Sequence, residues 1–228
     1  MIRLENVTKQ YKNGVKALND ASINIEKGEF VFLVGSSGAG KSTLIKLITK
    51  EVNPEKGKIF LDDKDITSLS SRKIPNIRRN IGMIFQDFKL LQNKTVFENV
   101  AFALEILGYS PRDIKKRVPK ALDMVGLSKK LDSYPDQLSG GEQQRVSIAR
   151  AIVNKPSVVI ADEPTGNLDP DTAWDIMNLL KDINRRGTTI LMATHAKDIV
   201  DNMKRRVIAL SDGKVIKDDT RGGYDYES

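Results

Sequence analysis

The chain has 228 residues, which is enough for one large domain or two small domains with a hydrophobic core. Its composition, 39% hydrophobic and 29% charged, is typical of a soluble globular protein, and the absence of cysteine excludes disulfides, thiolate chemistry and cysteine-based zinc sites. The surplus of 37 − 30 = 7 basic over acidic residues favours an anionic partner such as a nucleotide, a nucleic acid or an acidic membrane surface.

The N-terminal part of the chain is predicted to be rich in β-structure. No signal-peptide core precedes it, and no apolar run in the chain approaches the roughly 18–20 residues of a membrane-spanning helix. Asn13-Gly14 is a hairpin-turn signal. Tyr11 lies just before this turn, and its position alone favours ordinary partial burial. Strands are predicted around residues 2–7, at 22–25 and at 30–34.

A glycine-rich loop follows the apolar strand at residues 30–34. It reads Gly35-Ser36-Ser37-Gly38-Ala39-Gly40-Lys41-Ser42, and a helix-like run begins at Thr43. Strand, glycine-rich turn and helix form the context of a phosphate-binding P-loop, in which glycines let the backbone come close to the phosphates. The N–H groups at the helix start point at the anion, Lys41 reaches the β- and γ-phosphates, and the Ser42 hydroxyl is placed to ligate Mg²⁺.

A later strand ends in a polar residue of interest. Residues 53–57 break the helix that begins at the P-loop, and a short strand and a basic helix follow. The next predicted strand, at residues 81–85, runs directly into Gln86. A glutamine at a strand end is commonly a solvated loop residue, and it gains significance only if that edge of the sheet faces the nucleotide.

The middle of the chain changes to a helical pattern. Thr95 and Glu98 form a capping box at the start of its first helix. Pro119 falls inside the next predicted helix, where a proline costs about 3 kcal/mol, so we expect a kink or a break there. The helical block, about residues 86–153, is predicted to be a subdomain inserted into a single domain that spans residues 1–228.

The last helix of this block opens with Leu138-Ser139-Gly140-Gly141-Glu142. Ser139 and Glu142 form another capping box, which explains the start of the helix but not its two glycines. Each glycine is a poorer helix former than alanine by about 1 kcal/mol. Glycines here make sense if an anion must approach the bare N–H groups of the first turn.

Two further apolar runs end in ionisable residues. Residues 157–161 end in Asp162-Glu163, and residues 189–193 end in Thr194-His195. Continuous apolar runs of this length indicate strands that are buried on both faces. Because ligands bind beyond the carboxyl ends of the strands in open α/β sheets, the P-loop, the two carboxylates and His195 are expected to converge.

The C-terminal part is predicted to contain one more hairpin. Val207–Leu210 and Val215-Ile216 are the expected strands, and Asp212-Gly213 is the turn between them. The tail from 221 to 228 carries two glycines and few apolar residues, so we expect it to be mobile.

Together these motifs resemble those of the ATP-binding-cassette (ABC) ATPases. A P-loop alone also occurs in kinases and GTPases, but its combination with Leu-Ser-Gly-Gly-Glu, a strand ending in Asp-Glu and a later histidine after a strand is highly specific. The resemblance covers essentially the whole chain. It implies an α/β fold of the P-loop NTPase type, with an N-terminal antiparallel β-subdomain and an inserted helical subdomain. It also implies an Mg²⁺-dependent ATPase that converts ATP and water to ADP and phosphate.

The resemblance further implies a role for each motif residue. Glu163 is the expected general base, His195 the switch residue at the γ-phosphate, and Gln86 the Q-loop glutamine near Mg²⁺ and the membrane partner. The expected metal residues are Ser42, Gln86 and Asp162, and residues 167–169 are the D-loop. The expected nucleotide-binding residues are the adenine-stacking Tyr11, the loop residues Gly35, Ser36, Ser37, Gly38, Ala39, Gly40, Lys41, Ser42 and Thr43, and Ser139, Gly140 and Gly141, which close over the ATP of a second copy.

Residues 85–91, 162–170 and 191–195 are similar to FtsE, the cell-division ATPase that partners the membrane protein FtsX. The similarity implies an ATP-dependent homodimer at the cytoplasmic face of the cell membrane, held there by an FtsX-like integral membrane partner. It also implies a role in cell division and cell-wall remodelling. Phe88 and the following Leu90-Leu91 are apolar in a predicted surface loop, so they are candidates for docking the partner unless they pack under the helical subdomain.

Two alternative functions remain at this point. Residues 165–169 are shared with lipoprotein-release and macrolide-type exporter ATPases, so the chain could instead power an ABC exporter. A soluble ABC protein acting on DNA or the ribosome is a third hypothesis, which the net charge could serve. Such relatives carry long coiled-coil insertions or two fused cassettes, and this chain has neither, so no nucleic-acid partner is expected.

Overall fold

The computed structural model describes residues 1–224. This range contains ten strands and seven α-helices, and a 3₁₀ helix, Pro135–Gln137, precedes the fifth α-helix. The strands are β1 (Ile2–Gln10), β2 (Lys16–Ile25), β3 (Phe30–Val34), β4 (Lys56–Leu61), β5 (Lys64–Asp65), β6 (Ile81–Phe85), β7 (Val158–Asp162), β8 (Thr189–Ala193), β9 (Arg206–Ser211) and β10 (Lys214–Asp219). The helices are α1 (Lys41–Ile48), α2 (Ile74–Arg78), α3 (Val96–Ile106), α4 (Pro111–Met124), α5 (Gly140–Ile152), α6 (Pro170–Arg185) and α7 (Lys197–Met203).

The strands form two sheets. A four-stranded antiparallel sheet has the order β2-β1-β4-β5, and a six-stranded sheet has the order β10-β9-β3-β8-β7-β6, parallel from β9 to β6 with β10 antiparallel at one edge. This is the predicted α/β fold with an N-terminal antiparallel sheet, and both predicted hairpins are confirmed. β3 leaves its N-terminal neighbours and pairs with β8 and β9 inside the second sheet.

The six-stranded sheet separates two hydrophobic cores. In β3, Phe30, Phe32 and Val34 belong to the core that includes the helical block, whereas Val31 and Leu33 belong to the core under the four-stranded sheet and α1. Successive side chains of a strand point to opposite faces, so a strand covered on both faces is apolar at every position. β3 and β8 are buried along their whole length, which explains their uninterrupted apolar runs.

The helices α3, α4 and α5 pack together as the helical block. The predicted capping box of α3 is present: Glu98 N–H donates to Thr95 Oγ1 at 3.2 Å, and Thr95 N–H donates to Glu98 Oε2 at 2.8 Å. α4 runs through Pro119 without interruption, so the predicted break is wrong. The carbonyl that loses its N–H partner there belongs to Lys115, which is exposed, so water can solvate it. No helix within residues 1–224 is long and apolar enough to cross a membrane.

The described end of the chain lies along α7 and β9. The Tyr224 N–H donates to Asp201 Oδ1 at 2.7 Å, and Gly222 is buried beside Val207. Residues 225–228, which belong to the tail that the sequence predicts to be mobile, lie outside the described residues.

Candidate functional site

The loops after β3, β8 and β7 begin at the same level of the sheet. Leu33 pairs with Ala193, and Ala193 pairs with Asp162, in parallel register. The three loops therefore leave from neighbouring strand ends, at the edge where ligands bind in open α/β sheets. They enclose a cavity of about 240 Å³, lined by Ser37, Gly38, Gly40, Lys41, Ser42, Thr43, Asp162, Glu163 and His195.

The P-loop glycines are required by what lies behind the loop. Gly35 has a φ of 147°, and a Cβ there would lie 2.3 Å from the Leu210 carbonyl oxygen. A Cβ at Gly40, where φ is 114°, would lie 2.4 Å from the Ala17 carbonyl oxygen. The turn of the C-terminal hairpin also contacts the loop, because the Gly213 N–H donates to the Ala39 carbonyl at 3.1 Å. Close packing by β2 and β9 thus explains two glycines for which sequence reasoning invoked the phosphates.

Lys41 is held inside the P-loop by the loop itself. Its ammonium group donates hydrogen bonds to the carbonyl oxygens of Gly35 at 2.6 Å and Ser36 at 3.0 Å, and the side chain is buried. Burial lowers the pKa of Lys41, and the nearby carboxylates of Glu163 and Asp162 act in the opposite direction. The cavity therefore contains one fixed cation beside two carboxylates.

Asp162 and Glu163 are consecutive, but their carboxyl groups lie in different environments. Burial raises the pKa of the Asp162 carboxyl, and the positive charges of Lys41 and Lys46 oppose that rise. Glu163 leaves β7 with a φ of 51°, a strained conformation for a residue with a side chain. Its Oε1 lies 3.1 Å from Nε2 of His195. The turn thus brings Glu163 to the histidine that follows the neighbouring strand.

Tyr11 lies beside the cavity but does not line it. Its hydroxyl is 3.3 Å from Thr43 Oγ1 in the first turn of α1, and the Lys9 ammonium group is 5.5 Å from the centre of its ring. The ring is half-buried. This position is compatible both with ordinary partial burial and with stacking on a base, so the adenine role stays a prediction.

Gln86 contacts the predicted D-loop and is not part of the cavity lining. Its Nε2 donates to Asn167 Oδ1 at 3.2 Å, and Asn167 Nδ2 donates to the Gln86 carbonyl at 3.3 Å. A Cβ at Gly166 would lie 2.8 Å from Gln86 Nε2, so the glycine makes room for this contact. The predicted catalytic and metal roles of Gln86 are not tested by this arrangement.

The segment after Gln86 is less exposed than the sequence suggests. Leu90 is buried in the core of the helical block, and Phe88 packs against that core. Arg150 holds the backbone, donating to the carbonyls of Phe88 at 2.7 Å and Lys89 at 2.6 Å. The expectation of an exposed apolar docking residue is therefore wrong for Leu90, which packs under the helical subdomain, whereas Phe88 is partly buried and its docking role stays a prediction.

Ser139, Gly140 and Gly141 stand apart from the cavity of their own chain. Ser139 caps α5 as predicted, accepting from the Glu142 N–H at 3.2 Å. A Cβ at Gly141 would lie 2.4 Å from Thr172 Cγ2, so packing against α6 requires that glycine. A Cβ at Gly140 would meet only ordinary contacts, so packing does not require that glycine, and its role at an anion stays a prediction.

Comparison with known proteins identifies the family of the chain. The family model described as ABC transporter matches residues 18–166. The cell division ATP-binding protein FtsE of Bacillus subtilis is 61% identical over 224 residues, and the protein of that name from Mycobacterium tuberculosis is 54% identical over 225 residues; each match covers 98% of both chains. The chain belongs to the FtsE family of ABC-type ATPases.

Solved structures support the same fold for this FtsE-type chain. A dimeric ATP-binding cassette, MJ0796, in a post-hydrolysis state bound to ADP and Pi has a TM-score of 0.87 at 39% identity, with 98% of this chain and 100% of that chain covered. The cassette cbiO1 from Clostridium perfringens has a TM-score of 0.90 at 34% identity, with 96% and 88% covered. The predicted cassette fold and ATPase class are confirmed.

One buried residue of this FtsE-type ATPase was missed by sequence reasoning. Gln144 in α5 is fully buried, and its Nε2 donates to the Pro164 carbonyl at 2.6 Å. Within residues 1–224 its Oε1 has no hydrogen-bond partner. Because Pro164 directly follows Glu163, the bond connects α5, which Ser139 caps, to the turn that carries Glu163. The sequence signal that could have identified Gln144 was an amide side chain on the buried face of α5, where glutamine is uncommon.

Proposed function

We propose that this chain is the ATP-binding and ATP-hydrolysing subunit of an FtsEX-like complex. It couples ATP-driven dimerisation to a conformational change in a membrane partner during cell division and cell-wall remodelling. The observation that carries the proposal is full-length similarity, from 51% to 61% identity, to proteins named cell division ATP-binding protein FtsE. The cavity that contains Lys41, Asp162, Glu163 and His195 supports the chemistry.

Phosphoryl transfer requires positioning, neutralisation of charge and an oriented water molecule. Lys41 and the N–H groups at the start of α1 bind the phosphates, because the helix start is a natural anion site. Glu163 accepts a proton from the attacking water, and His195, 3.1 Å from its Oε1, fixes the orientation of that carboxylate. Tyr11, which lies beside the first turn of α1, stacks on the adenine.

The residues present fit a magnesium ion. The Ser42 hydroxyl and the Asp162 carboxylate line the same cavity, and both are oxygen donors of the kind that Mg²⁺ takes. Within the described residues, no group of three or more histidine or acidic side chains could hold a metal ion alone. Mg²⁺ in ATPase sites keeps several waters and phosphate oxygens, so two protein donors suffice, with Gln86 as a further candidate. When bound, the ion neutralises phosphate charge.

A second copy of the chain completes the site. Ser139 and Gly140 are exposed in the monomer and do not line the cavity of their own chain. The similar solved cassette MJ0796 is described as dimeric. We place Ser139, Gly140 and Gly141 of one copy over the ATP held by the P-loop of the other, in a head-to-tail dimer.

A groove between α3 and the edge of the six-stranded sheet is the proposed docking place for the FtsX-like partner. Its volume is about 610 Å³, and Phe85, Phe102 and Ile106 contribute to an apolar lining. Ile106 is 67% exposed and Phe102 37% exposed, so apolar surface is available to a partner. The chain would be held at the cytoplasmic face of the membrane through this contact.

Recovery of the membrane partner tests the assignment. Ile106→Asp and Phe102→Asp should abolish recovery of an FtsX-like protein from detergent-solubilised membranes, while ATP binding by the purified chain is retained. Ile216→Asp is the matched control, because Ile216 is also an exposed isoleucine, 49% exposed, on β10 far along the chain. Equal recovery by Ile106→Asp and Ile216→Asp would contradict the docking groove.

The same experiment separates the two complexes that the sequence allows. If the unmodified chain recovers a transporter permease and no FtsX-like protein, the exporter or lipoprotein-release function replaces the cell-division function. The hydrolysis chemistry is the same in both cases, so ATPase activity alone does not distinguish them.

A further inference from the structure

A second groove, on the other side of the α5 C-terminus, is strongly basic. It has a volume of about 350 Å³ and lies between α4 and the loop after α5. Lys116, Arg117 and Lys120 of α4 line it, and Lys155 faces them from the loop. Over its length α4 carries five basic and two acidic residues, a net charge of 5 − 2 = +3. The groove therefore concentrates part of the chain's basic surplus in one place.

The lysines of this basic groove are not paired with carboxylates of the described residues. In the described part of the chain, Lys116, Lys120 and Lys155 make no ion pair. The single acidic residue of the lining, Asp113, accepts a hydrogen bond from Ser110 Oγ at 2.7 Å in the first turn of α4. By contrast, the basic residue Arg206 is bound by two carboxylates.

The basic groove adjoins the apolar groove proposed for the membrane partner. Lys155 lines the basic groove, and Asn154, the residue before it, lines the apolar groove. Tyr109 joins the two sides: its hydroxyl donates to Asn154 Oδ1 at 2.8 Å, and the Arg117 guanidinium lies 4.7 Å from its ring. A partner embedded in a membrane would bring the membrane surface next to these cations.

We propose that the basic groove binds the anionic phospholipid headgroups of the membrane surface that surrounds the partner. Exposed lysines are flexible, strongly hydrated point charges. They therefore suit a membrane surface that carries many phosphates better than they suit one small anion. Met124, at the C-terminal end of α4, is 38% exposed and adds an apolar contact at the rim. Binding to lipid would add to the partner contact and fix the orientation of the cassette on the membrane.

Co-sedimentation with vesicles tests the proposal without any membrane partner, so its outcome does not depend on the FtsEX-like complex. The purified chain should bind vesicles of phosphatidylcholine mixed with phosphatidylglycerol, bind poorly to phosphatidylcholine alone, and lose binding as salt is raised. Lys116→Gln/Lys120→Gln/Lys155→Gln should weaken binding roughly a hundredfold, about fivefold for each cation removed. Its ATPase activity without vesicles should be unchanged.

The matched control is Lys27→Gln/Lys64→Gln/Lys214→Gln, which removes the same charge from exposed lysines elsewhere. If both triple variants lose binding equally, net charge and not the groove attracts the membrane, and the proposal is wrong. It is also wrong if the unmodified chain does not bind the anionic vesicles. Retention on double-stranded DNA in preference to vesicles, lost only in the groove variant, would reassign the groove to nucleic acid.

Discussion

Asp162 and Glu163 are consecutive residues, but the backbone places their carboxylates in different environments. Asp162 ends β7 and is partly buried, which raises its pKa, whereas Glu163 turns out of the strand toward His195. Pairs of ionisable groups in unlike environments commonly divide catalytic tasks. We propose that Asp162 has an electrostatic role and that Glu163 accepts the proton.

Replacement of Glu163 tests that division. Glu163→Gln keeps the shape of the side chain but removes the base, so ATP binding should persist while hydrolysis falls by roughly 10²–10⁴-fold. Nucleotide binding and phosphate release are measured on the same preparation. Lys41→Ala is the contrasting variant, because it should weaken ATP binding itself. Unchanged turnover in Glu163→Gln would contradict the assignment.

Replacement of Asp162 should stabilise the chain while abolishing its activity. The folded-state pKa of Asp162 is raised above its unfolded value, so the ionised carboxylate costs stability at neutral pH, and this cost disappears as pH falls through the folded-state pKa. Without nucleotide, Asp162→Asn should therefore raise the melting temperature at neutral pH, and the gain should shrink on acidification. Asp212→Asn, in an exposed turn, is the control. A lower melting temperature for Asp162→Asn would refute the argument.

At the scale of elements, α5 is bound closely to α6 and to the turn after β7. Gly141 contacts Thr172 at the start of α6, Gln144 donates to the Pro164 carbonyl, and Arg145 Nη2 lies 3.4 Å from Asp175 Oδ2. These contacts lie at successive turns of α5. α5, which Ser139 caps, is thereby connected to the segment that carries Glu163.

Addition of one methyl group at Gly141 tests this packing. Its Cβ would lie 2.4 Å from Thr172 Cγ2, so Gly141→Ala should lower the free energy of unfolding by about 1–3 kcal/mol relative to Gly140→Ala, which gains helix propensity without a clash. Urea unfolding measures the difference. Thr172→Ser removes Cγ2 and should restore most of the stability of Gly141→Ala. A Gly141→Ala variant as stable as Gly140→Ala would contradict the close contact.

The bond from Gln144 predicts an effect on turnover. Gln144→Leu removes the donor and leaves the Pro164 carbonyl buried without its partner, which costs about 1–3 kcal/mol. If the bond positions the Glu163 turn, kcat should fall while KM for ATP changes little. Gln143→Leu, one residue away on a less buried face, is the control. Equal kcat in both variants would show that Gln144 contributes to packing but does not position Glu163.

Structural features that depend on neighbouring residues along the chain were predicted correctly from the sequence. Features that depend on packing between segments far apart in the sequence were not. The uninterrupted apolar runs of β3 and β8 and the capping boxes at Thr95 and Ser139 are local signals, and all four are confirmed. Leu90 was expected to be exposed because no pattern in the residues around it indicates that the core of the helical block covers it.

Within the site, strand ends and the P-loop could be predicted because motif and position coincide. The burial of Gln144 and the contact between Gly141 and Thr172 could not, since each depends on how α5 packs against elements far away in the sequence. The break predicted at Pro119 is absent for a related reason: the exposure of Lys115, whose carbonyl lacks its N–H partner, depends on how α4 packs.

At the scale of the whole molecule, the proposed head-to-tail dimer predicts that one cassette alone lacks a complete site. In the Glu163→Gln background, which retains ATP, Ser139→Arg should place a bulky cation where the second copy must close, so ATP-dependent dimerisation should fail while the monomer still binds ATP. Sedimentation with and without ATP measures this. Ser71→Arg, at another exposed serine, is the control. Equal amounts of dimer in the two arginine variants would contradict the head-to-tail arrangement.

The contact of the C-terminal hairpin with the P-loop also has a consequence for protein synthesis. The P-loop rests on the turn at Gly213, and β3, which leads into it, is flanked by β8 and β9. On the ribosome, β3 emerges long before these later strands. A growing chain therefore has its phosphate-binding motif exposed but unsupported until residue 213 is available. The order of synthesis thus predicts that the P-loop acquires its native conformation late, after β8, β9 and the turn at Gly213 have been made.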